Sequence, residues 1–178
     1  MKLLLLASTA LAIAAFPAFG QSITEKTGVN QALGVAPKTQ DFVNLAAQSD
    51  MLEIESSKLA LTRSSNDKTK QFADRMIKDH TQTSNELKAL VSEGKVKVAA
   101  PAGLDKTHKD KLDKLAKQSD AKDFTKEYND MQVSAHKDAV SMFERYGKEG
   151  DNSDLKAFAN KHLPHLQEHL KMAQDLGK

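Results

Sequence analysis

A chain of 178 residues suffices for one domain with a sizeable core and leaves no room for a second full one. Its 26 basic and 24 acidic residues nearly balance, which excludes the one-signed charge of a protein that tracks a nucleic-acid backbone. The lack of cysteine excludes a disulfide framework, a zinc–thiolate site, a thiol nucleophile and a lipid-modified cysteine, so stability has to come from apolar packing.

Residues 1–20 read as a secretory leader that is removed. Lys2 supplies the positive start, Leu3 to Phe16 is almost unbroken apolar, and Ala18-Phe19-Gly20 offers small residues at both cleavage positions, placing the cut before Gln21. The apolar run, about fourteen residues, falls short of the roughly 20 a spanning helix needs, so no membrane anchor is expected after cleavage. Residues 21–38 mix Gly28, Gly34 and Pro37 with polar residues and show no sustained apolar period. They are read as a flexible mature N-terminus.

From Thr39, taken as the N-cap, the residues Phe42, Leu45, Ala46, Ser49, Leu52, Ser56, Leu59 and Ala60 recur at three-and-four spacing, which predicts a first helix ending near Arg63. Ser64-Ser65-Asn66-Asp67 makes a turn. Phe72, Ala73, Met76, Ile77, Leu87, Leu90 and Val91 then mark a second helix that stops at Gly94. Pro101 and Gly103 break the next stretch, where Leu104, Leu112 and Leu115 predict a short amphipathic helix among lysines, with His108 exposed. A third helix follows from Ser119, with Phe124, Tyr128, Met131, Ala135, Ala139, Met142 and Tyr146 on one face. After a turn over residues 147–153 a fourth runs from about Asp154 to Leu176, carrying Leu155, Phe158, Ala159, Leu166, Leu170 and Ala173. Four long helices with one apolar stripe each can bury those stripes only against one another, so residues 39–178 are expected to form an all-α four-helix bundle. Periodicity does not choose between an up-down bundle and one with a crossover.

Polar residues at core positions are the informative ones, because burying a polar group without a partner costs on the order of 1–3 kcal/mol. Glu53 lies on the first stripe, His80 on the second, His136 on the shoulder of the third and His169 on the fourth. Each sits about 12 to 17 residues into its helix, so with a rise of about 1.5 Å per residue all four fall near mid-height, whichever way the helices run. Three imidazoles and a carboxylate in one layer would suit zinc, copper, iron or manganese. A buried Glu–His or His–water network without metal would meet the same burial requirement. His162 and His165 are read as structural, and Asp79 as a solvated flank. The scattered methionines argue against a methionine-based copper site. Pro164, inside the fourth helix, removes one backbone hydrogen bond and releases the carbonyl of Asn160, which could open space there. No phosphate loop, nucleophile elbow or His-Glu-x-x-His pair is present, so no catalytic residue is assigned.

The runs Leu52-Glu53-Ile54-Glu55 with Lys58-Leu59-Ala60, Phe72-Ala73 through Met76 to Asp79-His80, Gln132-Val133 to His136, and Leu163-Pro164 to His169-Leu170 resemble the bacterial domain of unknown function 4142. The resemblance covers about residues 40 to 176. It implies an exported protein, of a kind often labelled as an outer membrane protein, with a ferritin-like helical fold, and it puts the family's polar motif residues on Glu53, Asp79, His80, His136 and His169. A ferritin-type di-iron site needs Glu-x-x-His pairs, whereas the residues three before His80, His136 and His169 are Ile77, Val133 and Leu166. Ferroxidase or iron-storage chemistry is therefore not expected. The leading expectation is a periplasmic bundle binding one transition-metal ion for metal handling or redox. Its alternative is a non-catalytic envelope or interaction protein whose His/Glu layer is structural. A third reading, weak membrane-surface association through the lysines of residues 95–122, needs anionic lipid. No nucleic-acid partner is expected.

Overall fold

The computed structural model describes Ser22 and residues 28–178; the expected leader and its cleavage point lie outside the described residues. Within them the chain is all-α and holds no strand: α1 (Val29–Ala32), α2 (Thr39–Arg63), α3 (Asp67–Ser92), α4 (Lys106–Ala116), α5 (Ala121–Glu149) and α6 (Ser153–Leu176). The four long helices, of 25, 26, 29 and 24 residues, are those the apolar periodicity predicts, with α4 as the short helix in the connection. No helix among the described residues is long and apolar enough to cross a membrane.

Local chemistry sets the helix starts. The Asn66 side chain accepts from the N–H groups of Lys68 and Thr69, Asp120 from those of Lys122 and Asp123, and Asn152 from that of Leu155, which satisfies donors that have no partner inside a first turn. Helix α2 departs from the expectation. Its cap is Lys38, without a side-chain bond, and Thr39 is already helical. The Thr39 hydroxyl instead meets Tyr146 Oη at 2.8 Å and donates to Asp151; a tertiary contact takes the group that the local reading assigned to capping.

These contacts also reveal the topology. The start of α2 lies at the end of α5, and its end lies at the start of α5, where Ser64 meets Thr125 at 3.0 Å; α2 and α5 are antiparallel. The start of α3 lies beside α5's start, through Thr69 and Asn129 at 3.2 Å, so α3 and α5 run parallel. The segment joining them must then traverse the length of the bundle. It does so along α2: Gln40 donates to the carbonyl of Ala99, Gln48 bonds both the carbonyl of Gly103 and the N–H of Asp105, and Arg63 donates to the carbonyls of Ala116 and Gln118. The bundle is thus two antiparallel hairpins, α2–α3 and α5–α6, joined by a crossover. The α5–α6 turn is tight enough that a Cβ on Gly147 would overlap the Asn160 amide.

The core is divided. One apolar cluster joins Phe42, Leu87, Phe143, Tyr146, Leu155 and Phe158, with the Phe42 and Tyr146 rings stacked at 4.0 Å. The other joins Ala60, Phe72, Met76, Leu115, Phe124 and Tyr128 at the opposite end. Between them lies a buried polar waist of Asp50, Glu53, Gln132 and three histidines.

Candidate metal centre

Each long helix contributes to the waist from near its middle. His80 on α3, His136 on α5 and His169 on α6 are buried, 1–3% exposed, and their ring centroids form a nearly equilateral triangle with sides of 5.6, 5.7 and 5.5 Å. One ring nitrogen from each lies within 4.8 Å of the other two.

The outer nitrogens are all engaged. His80 Nδ1 lies 2.7 Å from Asp50 Oδ1, His136 Nδ1 donates to the main-chain carbonyl of Gln132 at 2.9 Å, and His169 Nε2 lies 2.9 Å from Asp79 Oδ2. All three acceptors are oxygens, so hydrogen bonding assigns the protons to these outer nitrogens. The inner nitrogens, His80 Nε2, His136 Nε2 and His169 Nδ1, have no hydrogen-bond partner in the protein. In the neutral tautomers they present lone pairs toward one another. Anchoring of a ligand imidazole through its second nitrogen is the arrangement that fixes tautomer and ring orientation at metal sites.

Electrostatics divide the three imidazoles. Burial disfavours the His80 cation, but the hydrogen bond and charge of Asp50, with Glu53 and Asp79, outweigh it and hold its pKa above the usual histidine value. Burial lowers His136. His169 falls to about 4, first through burial and then through the positive charge of His80 and His136. Two of the three imidazoles are therefore neutral at neutral pH. Burial drives Asp50 up despite its bond to His80. No lysine or arginine is buried among the described residues.

Of the four residues singled out in the sequence, three converge and one stands beside them. Glu53 is 1% exposed and both its oxygens lack a partner, yet it is not among the groups whose ligand atoms lie within 4.8 Å of one another. Asp79, read as a solvated flank, is instead the acceptor that anchors His169, and its pKa is lowered, against the effect of burial, by hydrogen bonds from His169 and Arg75. The anchoring parts of Asp50 and Gln132 were missed. Their only signal is spacing: Asp50 lies one turn before Glu53, and Gln132 one turn before His136. His162 is buried and pairs with Glu86 at 2.9 Å, outside the triad. His108, expected to be exposed, is half-buried and bonded to Asp105 at 2.8 Å, because the crossover lies against α2.

Comparison with known proteins agrees with this architecture. Residues 24–176 match the family described as "Domain of unknown function (DUF4142)", and the chain belongs to that family. No curated protein matches. The solved structure "CopM in the Cu(II)-bound form" is similar in fold, with a TM-score of 0.65 at 18% sequence identity over 79% of this chain and 96% of that one.

Proposed function

We propose that this member of the domain of unknown function 4142 family is an exported metal-binding protein that holds one transition-metal ion on His80 Nε2, His136 Nε2 and His169 Nδ1, with a metal-handling or redox role outside the cytoplasm. The observation that carries the reading is the convergence of three unpartnered imidazole nitrogens in a buried layer, each on a ring anchored through its other nitrogen. Of the four ions named from the sequence, an imidazole set favours zinc, copper and iron over manganese, which prefers carboxylate oxygens. Copper is the first to test, since the name of the similar solved structure specifies Cu(II). A bound ion would supply Lewis acidity or one-electron chemistry. The chain's own residues would hold it, orient its ligands through Asp50, Gln132 and Asp79, and set the Glu53 carboxyl nearby. The alternative keeps the same layer as a buried structural network, in which Asp50 Oδ2, both Glu53 oxygens and the Gln132 amide, without partners in the protein, would be satisfied by water. The export reading rests on the leader pattern of residues 1–20.

The test uses the full chain, expressed with its leader and without a histidine tag, then recovered from the cell envelope fraction. Intact mass is expected to begin at Gln21. Elemental analysis is expected to give about one ion per chain in the wild type and almost none in folded His80→Ala and His169→Ala. Wild-type protein that stays metal-free after exposure to zinc, copper, iron and manganese would overturn the reading.

A further inference from the structure

We propose that the groove between α3 and α6 is the port through which a divalent transition-metal ion reaches and leaves the three nitrogens, and that a clasp of Arg75, Glu168 and Asp79 across it sets the exchange rate. The inference rests on the metal site proposed above.

The triad's three anchors differ in their access to water. Gln132 is fully buried and Asp50 is 5% exposed, whereas Asp79 is 27% exposed. On the α2 and α5 sides the waist is sealed by Glu53, Gln132 and His136. On the α3–α6 side a cavity of about 520 Å³ is lined by His80 and His169 themselves, together with Asp79, Gln82, Thr83 and His165. The donors lining this side grade from solvent to core: the His165 imidazole is exposed, the Asp79 carboxylate half-buried and His169 buried. Oxygen and nitrogen donors along the path let hydration water be replaced in steps rather than lost at once.

Arg75 ties the two walls together. Its Nη1 and Nη2 donate to Glu168 Oε1 and Oε2 at 3.0 and 2.8 Å, and its Nε donates to Asp79 Oδ2 at 3.2 Å, the oxygen that also accepts from His169 Nε2. One continuous run of hydrogen bonds thus links the surface of α6 to a triad imidazole through α3. The α6 wall is itself softened, because Pro164 cannot donate to the carbonyl of Asn160.

The experiment measures uptake and release of zinc and Cu(II) by rapid mixing against a chromophoric chelator, with wild type, Glu168→Gln, Gln82→Trp and Thr83→Trp. Glu168→Gln removes the bidentate tie at an exposed carboxylate, and is expected to accelerate both directions about two- to fivefold, with the dissociation constant unchanged. The tryptophans fill the groove and are expected to slow both directions, again at constant affinity. Glu168→Gln keeps the test decisive where the bulky variants fail to fold. Wild-type rates in every folded variant that still binds one ion would overturn the port while leaving the metal site standing; a wild type that binds no ion would sink both.

Discussion

A histidine buried between two apolar clusters has to have both nitrogens accounted for. At His80, His136 and His169 the account closes for only one nitrogen each. The carboxylate behind His80 is the strongest anchor, at 2.7 Å and almost wholly buried. Replacing Asp50 with asparagine keeps the shape and removes the charge that raises ligand basicity, so metal affinity is expected to fall about 10–100-fold with the fold intact. Competition titration against a chelator of known affinity measures this; unchanged affinity would remove Asp50 from the site's support.

At the scale of elements, the α3–α6 contact depends on polar ties, since Glu86 bonds Lys161 at 2.8 Å and His162 at 2.9 Å across it. The Glu86 carboxyl is held down to about 2, chiefly by Lys161, with Gln82 and His162 adding to it against burial. Its folded pKa lies below the ordinary 4.5, so the unfolded chain takes up the proton first. The tie's contribution is complete above about pH 4.5, declines as the pH falls and is gone below about 2. Exposure of the carboxylate, 29%, keeps the effect modest. Urea unfolding across this window is expected to show a shallower loss in Glu86→Gln than in wild type, with the variant less stable above pH 5. Parallel curves would mean that the pair contributes nothing. The helices themselves were legible from periodicity and cap residues, because both signals are local. The Thr39 cap was not, because Tyr146 and Asp151 compete for its hydroxyl from more than a hundred residues away.

For the whole molecule, two apolar ends hold a buried polar waist between them. An ion that binds the folded chain alone stabilises it by mass action, about 2.7 kcal/mol at one hundred times its dissociation constant. The urea midpoint of wild type is therefore expected to rise with added zinc, and that of His80→Ala to stay where it is. An equal rise in both would place zinc elsewhere on the surface. The crossover matters at this scale too. By lying along α2 it orients α3 and α5 in parallel and covers the α2 side of the waist, leaving α3–α6 as the side where a triad anchor meets water.

By itself the sequence determined the all-α class, four long amphipathic helices within a residue or two of their ends, and a mid-height layer containing Glu53, His80, His136 and His169. These follow from spacing along one helix and the rise per residue, which neighbours do not alter. Tertiary structure alone decided the crossover topology, the convergence of ring nitrogens from His80, His136 and His169 within 4.8 Å of one another, and the anchoring by Asp50, Gln132 and Asp79. Those depend on how each helix is turned about its axis and which helix it faces. A few tens of degrees there carry a side chain several ångströms, and the packing of all four helices settles them together.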